Sequence, residues 1–127
     1  MYAQSVGEKI TVEELIDLSG KRALVTGGLK GIGKSIASRL SECGATVLVA
    51  DIDSNVKNES PSDQLNFIEC DITDNSQLVK AINTAAGNDG LDFLINNAGI
   101  FPTTGPIEQV TDQFISRMLE VNVRAQF

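Results

Sequence analysis

The sequence predicts an α/β fold built on a doubly wound parallel sheet. Three observations carry that expectation. Short apolar runs bounded by turn residues alternate, four times over, with segments whose apolar residues recur at helical spacing. The runs are continuous rather than alternating in polarity, as suits strands covered on both faces. A glycine-rich turn joins the first run to the helix behind it.

Residues 1–20 read as an N-terminal extension, in which Thr11 caps one helical turn through Ile16. Residues 21–127 form the domain proper. Arg22–Thr26 is the first strand. Beyond the turn, Ile32, Ile36, Ala37 and Leu40 lay an apolar stripe along a helix, and Gly44 stands at its C′ position. Thr46–Asp51 is the second strand. Residues 53–65 are polar, include Pro61 and predict only a short or irregular helix. Asn66–Asp71 is the third strand. Thr73 or Asp74 then caps a helix carrying Leu78, Val79, Ile82 and Ala86, which ends at Gly87–Gly90. Leu91–Asn96 is the fourth strand. A loop with Pro102, Gly105 and Pro106 leads to a last helix, opened by Thr111 or Asp112, with Phe114, Ile115, Met118, Leu119 and Val121 apolar. The alternation argues for right-handed crossovers between parallel strands.

Composition narrows the chemistry. A chain of 127 residues, 42% apolar and 21% charged, is large enough for one hydrophobic core and is not a disordered tail. The net charge of −7, with Lys and Arg scattered, argues against nucleic acid or an anionic membrane surface as partner. No stretch approaches the roughly 20 apolar residues of a membrane span, and the first residues lack the apolar core of a signal peptide. The absence of His removes Ser-His-Asp and Cys-His catalysis and any His-based metal site. Cys43 and Cys70 are too few for a four-cysteine site, and a reduced, cytoplasmic setting is expected.

The turn has a physical task. Glycine lets backbone approach a ligand closely, and a helix N-terminus offers free N–H groups and a positive dipole end to a pyrophosphate. The G-x-G-x-x-G pattern is not met, because Ile36 stands at the third glycine; the spacing is Gly27, Gly31, Gly33. A turn with no ligand remains the alternative. Asp51 follows Gly33 by 18 residues, at the end of the second strand, where a carboxylate accepts hydrogen bonds from a ribose and repels a 2′-phosphate. The alternative for Asp51 is a cap or turn residue. For Asn97 it is a tight-turn residue tolerating positive φ, and for Asn122 a helix residue bonding nearby backbone.

Thr26-Gly27-Gly28-Leu29-Lys30-Gly31-Ile32-Gly33 resembles the T-G-x-x-x-G-I-G cofactor turn of the short-chain dehydrogenase/reductase family. Asn96-Asn97-Ala98-Gly99 resembles its N-N-A-G element, Cys70-Asp71-Ile72-Thr73 its aspartate after the third strand, and Glu120-Val121-Asn122-Val123 its Asn-bearing helix. The four fall in the family's order over roughly residues 19–127.

The resemblance implies a Rossmann-type domain with strand order 3-2-1-4, the order reversing between the first and fourth strands, and hydride transfer between NAD(H) and an alcohol or carbonyl substrate. It implies that Gly27, Leu29, Lys30, Gly31, Ile32 and Gly33 cradle the pyrophosphate. Asp51 and Ile52 would hold the adenosine ribose, and Asp71 and Ile72 the adenine. Asn97, Ala98 and Gly99 would line the nicotinamide side. Asn122 would be the active-site Asn that holds a catalytic lysine through water. A homo-oligomer is implied for the intact protein. Lys30 is discordant, since a basic residue there accompanies NADP; Asp51 is the stronger determinant and favours NAD.

The family's Tyr-x-x-x-Lys pair has no counterpart. The only Tyr is Tyr2, and Val6 stands four residues on. The chain by itself is therefore expected to be inactive, and a non-catalytic nucleotide-binding or interaction module is the alternative function. The apolar fourth strand would be an exposed sheet edge, a hazard natural proteins cover, so a fragment of a larger α/β domain is expected.

Overall fold

The computed structural model describes residues 11–59, 61–101 and 105–127. Pro102 and the first ten residues of the expected extension lie outside them. Four strands, β1 (Arg22–Thr26), β2 (Thr46–Asp51), β3 (Leu65–Glu69) and β4 (Phe93–Ile95), form one parallel sheet in the order β3-β2-β1-β4. Val25 pairs with Val49 on one side and Ile95 on the other. The central strands β1 and β2 are apolar between polar ends, and Leu24, Val25 and Val47 are completely buried.

Strand side chains alternate between faces and so feed two cores. Leu24, Leu48 and Ala50 pack with Ala81 and Ala85 of helix α3 (Asn75–Ala86) and Val121 of helix α4 (Asp112–Asn122). Ala23, Val25, Val47 and Val49 pack on the other face against Ala37 of helix α2 (Gly31–Glu42), with Ala45 beside it. The sheet is therefore wound on both sides, as the sequence predicts. Among the described residues, no helix is long and apolar enough to cross a membrane.

Caps fix where the helices start. The Thr11 hydroxyl and Glu14 form a reciprocal capping box on the short helix Val12–Ile16. Asp74 rather than Thr73 caps α3, accepting from the amides of Ser76 and Gln77. Thr111 rather than Asp112 caps α4, accepting from the Phe114 amide. α2 is different: Lys30 stands at its N-cap and no side chain caps it.

The two outer strands depart from expectation, where groups at their ends bond elsewhere. The third strand runs 65–69 rather than 66–71, so Asp71 lies past its end, and Asp71 Oδ1 instead accepts from the amide and hydroxyl of Thr73. The fourth strand runs 93–95 rather than 91–96. The Asp92 carboxylate is turned back to the Arg22 amide and Lys21, and the Asn97 amide is turned to the Thr26 hydroxyl. Between β2 and β3 the described residues include a 3₁₀ turn, Ser54–Asn58, with Val56 buried, the short helix that the sequence predicts. Among the described residues β4 is an edge strand, with Leu94 48% exposed.

Candidate functional site

A cleft of about 330 Å³ opens at the carboxyl ends of the strands. Segments following all four strands line it, with α4 closing one wall through Arg117 and Val121. In open α/β sheets this is where ligands bind, at the point where strand order reverses.

The first and fourth strands are tied together behind the cleft by Thr26, which is 3% exposed. Its Oγ1 accepts from the amides of Asn97 and Ala98, each at 3.1 Å, and donates to the Ile95 carbonyl. Asn97 returns the link, with Nδ2 donating to the carbonyls of Thr26 and Gly27 at 3.0 and 2.9 Å. This network leaves no room for a side chain where α2 crosses it. A Cβ on Gly33 would collide with Asn97 Nδ2 and lie 2.5 Å from the Gly27 oxygen. Gly33 thus supplies the close packing that a third glycine gives in the strict motif. No residue other than glycine has positive φ among the described residues, so Asn97 is not the left-handed turn residue of the alternative considered above.

In front of α2 the space is open. Gly31, at the first position of the helix with φ +57°, would carry a Cβ that meets nothing within 4 Å. An uncapped helix of 12 residues behind an open space presents free N–H groups toward any anion that enters.

Asp51 braces the turn from β2. Its Oδ2 accepts from the Leu29 amide and its Oδ1 from the Asp53 amide, both at 3.0 Å. Each oxygen retains a second lone pair for a ligand. Lys30 Nζ is paired with Asp53 Oδ2 at 2.6 Å. This contact raises the lysine's affinity for its proton and holds the Asp53 carboxyl below the usual carboxylate range. Burial pushes the Cys70 thiol up, with Asp71 adding to the effect, so it stays neutral in the cleft wall.

Asn122 does not line the cleft. Its amide bonds both backbone groups of Ile100 in the neighbouring loop, in the manner of the backbone-bonding alternative, and Nδ2 also donates to Met118 Sδ at 3.8 Å. Gln126 Nε2 supports the same loop through the Ala98 carbonyl at 2.9 Å.

Nine of the residues expected at the site therefore meet in one cleft: Gly27, Lys30, Asp51, Ile52, Asp71, Ile72, Asn97, Ala98 and Gly99. Leu29, Gly31, Ile32 and Gly33 do not line it. Leu29 is buried with its amide on Asp51, whereas Ile32 is 75% exposed beside Ile36 and Leu40. Sequence reasoning missed Thr26, Asp53, Arg117 and Gln126. Only Thr26 carried a signal, as a polar residue closing an apolar run.

Residues 21–127 match the family model for short chain dehydrogenases. The chain belongs to the short-chain dehydrogenase family. Within it, the chain is 33% identical over 115 residues to 3beta-hydroxysteroid dehydrogenase 2 of Eggerthella lenta, covering 85% of this chain and 44% of that protein. It is 35% identical over 117 residues to (+)-borneol dehydrogenase 1 of Salvia officinalis, covering 87% and 44%. Among solved structures, 3-ketoacyl-(acyl-carrier-protein) reductase from Brucella melitensis, complexed with NADH, superposes with a TM-score of 0.77 at 32% identity, covering 86% of this chain and 47% of that one. A blue fluorescent protein from a metagenomic library, in complex with NADPH, gives 0.73 at 36% identity, covering 86% and 48%. The chain spans a little under half the length of these proteins.

Proposed function

We propose that this chain is the cofactor-holding part of an oxidoreductase acting between NAD(H) and an alcohol or carbonyl substrate. Family membership supports the reaction class, and the NADH and NADPH of the solved relatives support a nicotinamide cofactor. The observation that carries the reading for this chain is the pairing of an uncapped helix start with a carboxylate one strand away.

The residues fit such a cofactor. The first amides of α2 would receive the pyrophosphate, with Gly31 leaving the approach open and Gly27 keeping the turn against Ala98. Asp51 would accept from the adenosine ribose hydroxyls through its remaining lone pairs. Asp71 and Ile72 would flank the adenine, and Asn97, Ala98 and Gly99 the nicotinamide end. The bound cofactor supplies or accepts the hydride. Asn122 would act on the reaction through the Ile100 loop that it holds, with its water-mediated support of a lysine implied by the family alone. Asp51, with Asp53 beside it, favours NAD over NADP by charge. A small alcohol or carbonyl compound is the proposed substrate, and a homo-oligomer the proposed assembly.

Fluorescence titration of the full chain with NADH tests this. Saturable binding is expected, and Asp51→Ala should weaken it at least tenfold, the scale of a lost charged hydrogen bond of about 1.5–3 kcal/mol. Absence of saturable binding, or indifference to Asp51→Ala, overturns it.

A further inference from the structure

Lys30 presents a difficulty for NAD selection. It lines the same cleft as Asp51, and a free ammonium there would offset the Asp51 charge and offer a partner to a 2′-phosphate. The structure shows where that ammonium goes. Its Nζ sits 2.6 Å from Asp53 Oδ2.

Asp53 is itself fixed from three directions. Its Oδ1 accepts from the Asn55 amide at 2.9 Å and from Asn55 Nδ2 at 2.7 Å, capping the turn Ser54–Asn58. Its own amide donates to Asp51 Oδ1. The carboxylate is therefore held with Oδ2 toward Lys30, whereas the lysine side chain is 76% exposed and follows its partner. An exposed pair of this kind adds little to stability. Its effect is positional: it fixes a cation on Asp53 and leaves the Asp51 side of the cleft negative.

We propose that Asp53 is a positioning residue for cofactor choice, its ion pair holding Lys30 off the 2′ position of the adenosine ribose so that the cleft takes the cofactor lacking a 2′-phosphate. The proposal rests on the cofactor reading above. Neither Asp51 alone nor Lys30 alone then determines the preference. The element that decides it is the third member, two residues beyond the ribose acid.

The test is calorimetric titration of the full chain with ADP and with 2′,5′-ADP at low salt. The unaltered chain should prefer ADP. Asp53→Asn keeps an oxygen for Asn55 but loses the charge that holds Lys30, and should raise the affinity for 2′,5′-ADP relative to ADP about fivefold, the scale of one close pair of charges in water. Adding Lys30→Gln should abolish that gain, and Asp53→Glu should restore the original ratio. Asp53→Ser, which retains a capping oxygen, repeats the measurement should the Asn variant fold poorly. An unchanged ratio in Asp53→Asn, or a gain that survives Lys30→Gln, overturns the proposal; the second result would mean that Asp53 acts by its own repulsion. If ADP fails to bind, or binds regardless of Asp51→Ala, the cofactor reading falls and this proposal with it.

Discussion

Asn122 and Ile100 form a closed pair. The Ile100 amide donates to Asn122 Oδ1 at 2.8 Å, and Asn122 Nδ2 donates to the Ile100 carbonyl at 2.8 Å. One side-chain amide thus stands in for a neighbouring strand, tying the loop after β4 to α4. Asn122→Ala should cost about 0.5–1.5 kcal/mol, because both backbone groups lose their partner at an exposed position where water replaces it in part. Asn122→Asp should also destabilise, since a carboxylate cannot donate to the Ile100 carbonyl. Denaturant unfolding of the full chain measures both. Asn122→Ala with unaltered stability would show that the pair carries no weight.

The two glycines at the start of α2 should separate stability from binding. Gly33→Ala inserts a methyl into Asn97 and the Gly27 carbonyl, and overpacking of this kind costs about 1–3 kcal/mol or more. Gly31→Ala meets open space and bears only the left-handed strain, about 1–2 kcal/mol. It should nevertheless weaken NADH binding, because its methyl enters the approach to the helix amides. Paired unfolding and titration curves check the contrast. Stability lost less in Gly33→Ala than in Gly31→Ala would contradict it.

Thr26→Val is nearly isosteric but leaves the Asn97 and Ala98 amides without their acceptor, at about 1–3 kcal/mol per group. Thr26→Ser keeps the hydroxyl and should retain most of the stability. Equal losses in the two variants would point to lost packing of the methyl group instead.

Stability should fall on acidification and stay flat through the neutral region. Asp74 is held below the usual carboxylate range by the Ser76 hydroxyl and the Gln77 amide, and Asp92 by the Arg22 amide and Lys21. Lowered values of this kind contribute stability above the unfolded-state range, near pH 4, which is lost as pH falls through the folded values. The chain has no His, so no imidazole step is expected between pH 5 and 8. Thermal midpoints measured from pH 2 to 8 test both statements, and a step centred near pH 6.5 would be inconsistent with them.

Where the sequence was readable, the determinants were local. Val25 and Val49 announce buried strands because their neighbours are apolar too, and Gly44 with φ +99° stops α2 where its position suggests. The turn and Asp51 are legible for the same reason, each being a short pattern at a strand end. What escaped depends on partners far along the chain. Thr26 acquires its role only from Asn97, 71 residues on, and Lys30 from Asp53, 23 residues on. The strand ends shifted likewise because Asp92 reaches back 70 residues to Arg22. Apart from the polarity of Thr26 at the end of an apolar run, residue types at those positions carry no record of such pairings.

The hydrogen bond from the Leu29 amide to Asp51 has a thermodynamic consequence. The carboxylate proposed to meet the ribose is already immobilised, and so is the turn proposed to meet the phosphates. Their conformational entropy is surrendered when the chain folds, not when a ligand arrives. Association at this end of the cleft then needs little rearrangement, and its affinity should depend on contact geometry more than on the cost of ordering a loop.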